Sequence, residues 1–227
     1  MSAPRFYLPD LTTGTMTVDG QEAHHLLNVR RLKSGDMVEV FDGCGHFAMA
    51  TISKTSRRDA ILNVEPVQTD TADAQSTLTI AAPLPRPERA RWMVEKLPEL
   101  GVNAGSPLIT ERRNSTARSV KLDKLKQYVI DACKQSGRNT LMAISEPGSL
   151  GDLLEDPGEA TLLVASQAGS RCPESSDPAT LLIGPEGGFT NAEADAITAA
   201  GGIPVTLARH ILRVETAAIA GAVHFAS

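Results

Sequence analysis

The sequence has little cysteine, few aromatic residues and no long apolar run. Its three cysteines are far apart and form no CxxC pair, which argues against a disulfide framework and the common zinc patterns. No apolar run approaches the ~18 residues of a membrane span, and the N-terminus lacks the apolar segment of a secretory signal. Aromatic residues are only 4% of the 227 residues, so aliphatic side chains must form the core. These absences predict a soluble, cytoplasmic and metal-free protein.

Charge is distributed unevenly along a chain whose net charge is −5. Residues 86–138 contain 12 basic and 6 acidic side chains, whereas residues 139–227 contain 3 basic and 11 acidic ones. A basic middle segment in an acidic protein is compatible with local binding of a polyanion. The alternative is an ordinary solvated helix face, which the charge pattern alone favours.

The first third of the chain has the pattern of short strands and turns. Residues 38–41 lead into Asp42-Gly43-Cys44-Gly45, a hairpin-type turn, and a second strand follows at residues 47–52. Residues 60–64 alternate again, and residues 24–32 are the one expected helix or turn. We therefore predict a small β-barrel domain over residues 1–70, with the polar stretch 68–76 as a linker.

From residue 77 onwards, short apolar strands alternate with helices. Expected helices include one that Pro98 should kink or end, one with Ser119 as N-cap, and one begun by the T-x-x-E capping box of Thr190 and Glu193. A last helix, rich in small residues, should begin near Glu215. The expected strands are residues 78–82, 106–109, 162–165, 181–183 and 203–207. This alternation predicts an α/β domain with a largely parallel sheet over residues 76–227.

Two loops of this second domain stand out as candidate binding elements. Gly184-Pro185-Glu186-Gly187-Gly188 joins a buried strand to a capped helix, where ligands bind in open α/β sheets. The second, residues 207–216, follows the next strand, so both loops can share one edge of the sheet. Neither is a dinucleotide or Walker motif, and the first contains no Lys for phosphates. Each also has an ordinary explanation, as a plain turn or as a local Arg213–Glu215 pair.

Six stretches together resemble the SPOUT methyltransferases, and among them the RsmE type, the 16S ribosomal RNA uridine-N3 methyltransferases. The last two stretches, in this order near the C-terminus, are the most specific. The six are Arg5-Phe6-Tyr7 and residues 24–30, 95–102, 135–139, 182–189 and 211–217.

The resemblance implies a C-terminal SPOUT domain with a deep trefoil knot around a parallel sheet, and a PUA-like N-terminal barrel. It also implies a homodimer, S-adenosyl-L-methionine as cofactor, and a substrate in the decoding region of 16S rRNA in the small ribosomal subunit. The implied cofactor-binding residues are Ser166, Gly184, Pro185, Glu186, Gly187, Gly188, Leu207, Ala208, Ile211 and Leu212. Together with the basic segment, it suggests the RNA-binding residues Arg5, Arg30, Arg112, Arg113, Arg118 and Lys121.

The implied chemistry needs no metal, because a sulfonium methyl donor is already electrophilic. N3 of uridine lies on the pairing edge, so the base must be unpaired or flipped out and must lose a proton as it attacks. A cation beside the uracil carbonyls would stabilise the developing charge, and Arg213 and Arg138 are the candidates. Glu215 could orient Arg213 or take the proton. His210 is a possible base, although an exposed loop histidine is the simpler explanation.

Four residues depart from the family pattern: Pro98, Lys134, Ala208 and Val214. Ala208 adds a methyl group at the cofactor loop, and Lys134 puts an acid/base role at its position in doubt. Two alternatives remain: a methyltransferase of the same fold that acts on another RNA site, and a non-catalytic RNA-binding ribosome assembly factor.

Overall fold

A computed structural model describes residues 3–70, 77–112, 121–156, 158–171 and 177–225. The chain divides into two compact units. Unit 1 is formed by Met1–Asp73 and Cys133–Leu141, and unit 2 by Ala74–Ala132 and Met142–Ser227. The sequence boundaries assigned residues 133–141 to the second domain, whereas the structure places them in unit 1. Among the described helices, none is long and apolar enough to cross a membrane.

The described strands of unit 1 form one six-stranded sheet in the order β1-β3-β4-β5-β2, with β6 paired to β4. The predicted hairpin is confirmed, since β3 and β4 are antiparallel neighbours on either side of the Asp42–Gly45 turn. The proposed linker begins too early, because Gln68 and Thr69 pair with Phe47 and His46. The strands are β1 Arg5–Tyr7, β2 Gly14–Val18, β3 Met37–Phe41, β4 His46–Thr55, β5 Ala60–Val64 and β6 Gln68–Thr69.

The helix expected over residues 24–32 begins and ends earlier in the chain. Helix α1 spans Gly20–His24 and continues directly into a π-helical turn over His25–Val29. Its buried residues Ala23 and Leu26 pack into the aliphatic core that lies against the sheet. A π-turn carries one extra residue per turn, so the apolar spacing does not reveal it.

Residues 133–141 join unit 1 through polar contacts and close packing. The Arg5 guanidinium donates to the backbone oxygens of Cys133 (2.9 Å) and Arg138 (3.3 Å) and to the side chain of Asn139. Asn139 in turn donates to Asp70 at 2.9 Å. These bonds satisfy buried polar groups that would otherwise be costly, and they explain why this stretch belongs with the N-terminal strands.

Unit 2 is built on a parallel sheet, as predicted. Its described strands follow the order β10-β8-β7-β12-β11-β13, with β9 paired to β8, and every pairing is parallel. The strands are β7 Leu78–Ala82, β8 Ala104–Ile109, β9 Ala143–Ile144, β10 Gly148–Ser149, β11 Thr161–Arg171, β12 Ala179–Leu182 and β13 Ile203–Thr206.

The expected helices are present, and α4 is an addition that sequence analysis missed. Pro98 lies in the last turn of α2, which ends at Glu99, so the proline closes the helix. The proposed cap Ser119 lies outside the described residues. The helices are α2 Pro87–Glu99, α3 Leu122–Ser136, α4 Leu150–Glu155, α5 Asn191–Ala199 and α6 Val214–Phe225.

The small residues of α6 face the interior of their own unit. Ala217, Ala218, Gly221 and Ala222 are buried. A Cβ at Gly221 would lie 2.2 Å from Cδ2 of Leu181 in β12, so only glycine allows this approach of helix to sheet. The small-residue face, which suggested close approach of a second subunit, is therefore used within unit 2.

Strand β11 carries an irregularity that shapes the sheet edge. Ala165 and Ser170 both pair with Val205 of β13, so residues 166–169 bulge out of the ladder. Thr206 fixes the bulge by donating its hydroxyl to the backbone oxygens of Ser166 (3.0 Å) and Gly169 (2.7 Å). A Cβ at Gly169 would lie 2.5 Å from the backbone of Pro204 and of Val205. The bulge thereby presents Ser166 beyond the regular strand.

Candidate functional site

A cavity of about 660 Å³ lies beyond the carboxyl ends of β11, β12 and β13. Its walls include part of the β11 bulge, residues 184–189 (here the glycine loop) and residues 207, 208 and 210–212 of the segment 207–213 (here the C-terminal loop). All ten residues that the sequence predicts to bind a cofactor line it, so three separate stretches of chain meet at one place. The ten are Ser166, Gly184, Pro185, Glu186, Gly187, Gly188, Leu207, Ala208, Ile211 and Leu212.

The glycine loop owes its shape to two of its glycines. Gly188 has a positive φ of 69°, and its N–H donates to the carbonyl of Pro185 at 2.8 Å, which closes a tight turn. A Cβ at Gly184 would lie 3.2 Å from the ring of Phe189. The glycines therefore let the chain turn tightly and leave its backbone open towards the cavity.

The C-terminal loop supplies apolar groups to the other wall. Leu207 and Leu212 are half-buried there, while Ile211 also borders the cavity with 86% of its surface exposed. Ala208 lines the cavity too, so its methyl group stands where the family pattern usually has glycine.

The charges that border the cavity limit what it can bind. Among the described residues that line it, none is Lys or Arg, and the ionisable ones are Glu186 and His210, both exposed. Phosphate groups are usually held by Arg, Lys or several converging backbone amides. The lining therefore fits a ligand that carries an apolar or cationic body rather than a phosphate chain.

Arg213 and Glu215 stand at the start of α6 in different surroundings. Arg213 is exposed, and its carbonyl accepts the N–H of Ala217 at 2.8 Å, which fixes its backbone as the helix begins. Glu215 is buried, and its Oε1 lies 3.5 Å from Nε of Arg89 in α2. Its other oxygen, Oε2, is buried with no hydrogen-bond partner among the described residues. The local Arg213–Glu215 pair, considered above as an ordinary explanation, is not found among the ion pairs of the described residues, and Glu215 pairs with Arg89 instead.

The third catalytic candidate, Arg138, belongs to unit 1. It is only 8% exposed, and its carbonyl accepts from Arg5. Its catalytic role stays a prediction from the resemblance.

The cations predicted to bind RNA are placed very differently. The Arg5 side chain is 8% exposed, paired with Glu39 at 2.9 Å and stacked 4.7 Å from the centre of the Phe41 ring, so its donors serve the fold. Arg30, Arg112 and Lys121 are exposed, and Arg112 also donates to the carbonyl of Gly187 in the glycine loop. The remaining two, Arg113 and Arg118, lie outside the described residues.

Lys134, the departure noted in the motif of residues 135–139, has a role within unit 1. Its ammonium lies 2.8 and 2.9 Å from the two oxygens of Glu22 and 3.0 Å from Nδ1 of His25. The Lys134 side chain is 8% exposed. The pairing spans 112 positions in the sequence, so no local pattern could have revealed it.

Glu193 is a further residue whose full role the sequence did not reveal. The predicted capping box is confirmed, since Glu193 and Thr190 exchange both bonds. Glu193 Oε1 also accepts the N–H of Glu111, the second residue after the end of β8, at 2.9 Å. Within the described part of the chain, no group of three or more His, Cys, Asp or Glu residues could hold a metal ion.

Comparison with known proteins gives consistent matches over both units. The profile of an RNA methyltransferase domain matches residues 72–224, and that of an RNA methyltransferase PUA domain matches residues 18–65. The ribosomal RNA small subunit methyltransferase E of Synechocystis is 32% identical over 213 residues, which cover 89% of this chain and 70% of the relative. The protein of the same name from Mycobacterium bovis is 30% identical over 241 residues, covering 96% and 89%.

A solved structure agrees with these matches. The crystal structure of a ribosomal RNA small subunit methyltransferase E from Neisseria gonorrhoeae, bound to S-adenosyl methionine, has a TM-score of 0.86 and 30% identity. The match covers 97% of this chain and 95% of that one.

Proposed function

Because the chain belongs to the ribosomal RNA small subunit methyltransferase E family of RNA methyltransferases, we propose that it methylates N3 of a uridine in 16S ribosomal RNA. The methyl donor is S-adenosylmethionine, and the target lies in the decoding region of the small subunit. The trefoil knot that the resemblance implies for unit 2 is part of the same proposal.

The observation that carries the proposal is the cavity between the glycine loop and the C-terminal loop. Its volume of about 660 Å³ lies within the range of roughly 300–1,000 Å³ that is usual for small-molecule sites. S-adenosylmethionine has an adenosine without phosphates and a sulfonium cation. Both suit walls made of apolar side chains and glycine backbone, with Glu186 as the one acidic residue among the described lining residues.

The chain's own contribution to the transfer is to orient the uracil and to stabilise its anion. As N3 loses its proton, negative charge spreads onto the neighbouring carbonyl oxygens. The exposed Arg213 guanidinium, anchored through its backbone at the start of α6, can donate to such a carbonyl. The positive end of the α6 dipole favours the same charge.

Glu215 has a geometry suited to accepting a hydrogen bond or a proton. Its buried Oε2 has no hydrogen-bond partner among the described residues, while Nε of Arg89 lies 3.5 Å from the opposite oxygen. Because Oε2 is buried, its role in this proposal requires the groups that cover it to move when the substrate binds. We keep Glu215 as the candidate base or orienting group, with Arg89 as its support.

Exposed cations supply the contact with RNA in this proposal. Arg30 of unit 1 and Arg112 and Lys121 of unit 2 are exposed, so their charges can reach phosphates. Each lost phosphate contact should flatten the log–log salt dependence of RNA affinity by roughly 0.7 for a single strand. An unchanged slope after Lys121→Ala would remove that residue from the interface.

A homodimer remains part of the proposal, on grounds other than the small face of α6. Trp92 of α2 is 47% exposed and Val223 of α6 is 46% exposed, and these two helices pack against each other in unit 2. Large apolar side chains on adjacent helices suit contact with a second copy. Light scattering that gives a particle of the chain mass, 24.0 kDa, at micromolar concentration would refute the dimer.

Two measurements test the function itself. Isothermal titration with S-adenosylmethionine should show binding, and its absence would favour the non-catalytic assembly factor. Mass mapping of 16S rRNA from cells that lack this protein should then reveal one missing methyl group on a uridine. A missing methyl on a ribose or on transfer RNA would replace the proposed substrate by another RNA site.

A further inference from the structure

The chain that leaves β8 is attached to the glycine loop at one point and to α5, the helix that follows the loop, at another. The N–H of Glu111 donates to Oε1 of Glu193 at 2.9 Å. The next residue, Arg112, donates through Nη1 to the carbonyl of Gly187. These contacts join positions 82 and 75 residues apart in the sequence, so a second element of unit 2 holds the loop from outside.

Glu193 connects the start of α5 to the chain that follows β8 through one buried carboxylate. Its Oε2 accepts the N–H of Thr190 at 2.7 Å, which caps α5 at the end of the glycine loop, while Oε1 accepts the N–H of Glu111. Glu193 is only 8% exposed. Because both neighbours are N–H donors, the site requires an acceptor at each oxygen, which only the carboxylate provides.

Arg112 packs against Gly187 in the glycine loop. Gly187 has no side chain, and a Cβ built there would lie 3.4 Å from Cδ and 3.9 Å from Nη1 of Arg112. The arginine side chain therefore packs directly against the backbone of Gly187. Gly187 itself lines the cavity. Loss of the Arg112 contact therefore affects the cavity wall directly at Gly187.

We propose that Glu193 and Arg112 are positioning residues, which hold the glycine loop in the conformation that binds the cofactor. The inference rests on the proposed function, since it takes S-adenosylmethionine as the ligand of the cavity. A loop fixed before binding loses less conformational freedom when the ligand arrives, so its affinity is higher. Neither residue needs to touch the ligand for this effect.

Helix α4 offers a matched control. Its capping box uses Ser149 and Asp152 in the same way as Thr190 and Glu193, with bonds of 3.1 and 3.2 Å. Within the part of the chain that the structure describes, Asp152 makes only the two bonds of its box, whereas Glu193 also reaches Glu111. Comparing Glu193→Gln with Asp152→Asn thus separates the loss of a helix cap from the loss of the connection to β8.

The experiment is isothermal titration of S-adenosylmethionine into the full chain and four variants without RNA, so that no phosphate contact contributes. Arg112→Ala should raise the dissociation constant about five- to tenfold, the range expected for one lost hydrogen bond. Arg112→Lys, which keeps a donor, should recover most of that loss. Glu193→Gln should raise the dissociation constant roughly tenfold. The NH₂ group of the glutamine replaces one acceptor oxygen and faces a backbone N–H donor. Asp152→Asn should leave it unchanged.

Thermal unfolding of the same five proteins identifies a purely structural effect. Arg112→Ala should keep the wild-type midpoint despite its weaker binding. Unchanged affinity in Arg112→Ala and Glu193→Gln would overturn the inference, as would equal losses of affinity in Glu193→Gln and Asp152→Asn. A wild-type chain that fails to bind S-adenosylmethionine would instead refute the proposed function.

Discussion

Two cations of unit 1 and two cations of unit 2 differ in how they are used. In unit 1, the side chains of Arg5 and Lys134 are each 8% exposed and each is paired with a buried or half-buried acid. In unit 2, Arg112 and Arg213 are exposed and belong to, or contact, the loops beside the cavity. Arg5 and Arg213 both stand in stretches that carry the family resemblance. Burial separates Arg5 and Lys134, whose donors are used within the fold, from Arg213, whose exposed side chain can meet a ligand.

The strongest test of this contrast is the ion pair in unit 1. Lys134→Met should destabilise the protein by about 3 kcal/mol, the lower end of the range for a buried pair, because it removes the cation from a carboxylate whose side chain is 15% exposed. Urea unfolding measures the loss. Lys96→Ala, which removes an exposed partner of Glu99, should cost only about 0–1 kcal/mol. Similar losses in the two variants would contradict the division between buried and exposed cations.

In unit 2, the corresponding test removes Arg213. Arg213→Ala and Arg213→Lys should both lower turnover about 100–1,000-fold, since a lysine lacks the planar fork of donors. Cofactor affinity and the unfolding midpoint should change little, because the side chain is exposed and the backbone provides its helix contact. Methyl transfer at saturating cofactor and titration calorimetry measure the two quantities. Weaker binding with normal turnover at saturation would remove Arg213 from the chemistry.

A third test concerns the packing of α6 against the sheet of unit 2. Gly221→Ala would press a methyl group against the fully buried Leu181, and such overpacking costs about 1–3 kcal/mol. The better helix propensity of alanine offsets this by at most about 1 kcal/mol. Gly151→Ala in α4, with its nearest neighbour at 3.6 Å, should be neutral or stabilising. Chemical unfolding of both variants checks the difference, and equal stability would show that α6 can move away from the sheet.

The smallest expected effect is a pH dependence in unit 1. Burial alone raises the pKa of Asp42, but hydrogen bonds from the Cys44 amide and from His46 outweigh it and lower the pKa below its ordinary value. The stabilisation is therefore complete above the unfolded pKa of about 3.9 and is lost as the pH falls through the lower folded pKa. Asp42→Asn should cost about 1 kcal/mol at pH 7.

That difference between wild type and Asp42→Asn should shrink as the pH falls from about 5 to about 2. Urea unfolding across this pH series measures it. A difference that does not vary with pH would show that the Asp42 charge contributes nothing to stability.

Local patterns predicted the fold well, because they depend on neighbours in the sequence. The Thr190–Glu193 cap spans three positions, and the order of strands and helices follows from apolar periodicity. The meeting of the ten predicted cofactor-binding residues around one cavity came from a different source, namely the resemblance. Spacing alone identified the glycine loop and the C-terminal loop but not Ser166, which depends on the bulge in β11.

Long-range pairings were the part that the sequence could not supply. Lys134 with Glu22, Glu193 with Glu111 and Glu215 with Arg89 each join residues on separate elements. Arg5 was expected to contact RNA because it stands in a stretch that carries the resemblance, although its donors are used internally. The pairing partner decides the role, and the partner is known only once the chain is folded.

The two kinds of glycine beside the cavity should respond differently to evolutionary change. Gly188 is constrained by the handedness of its backbone, with open space around it, so asparagine is a tolerable exchange there. Gly169 is constrained by room alone, because the backbone of β13 fills the position of any Cβ. In a saturation mutagenesis library, position 188 should retain a few residues and position 169 only one. Invariance at residue 169 would then record a close approach of two strands rather than any chemistry of its own.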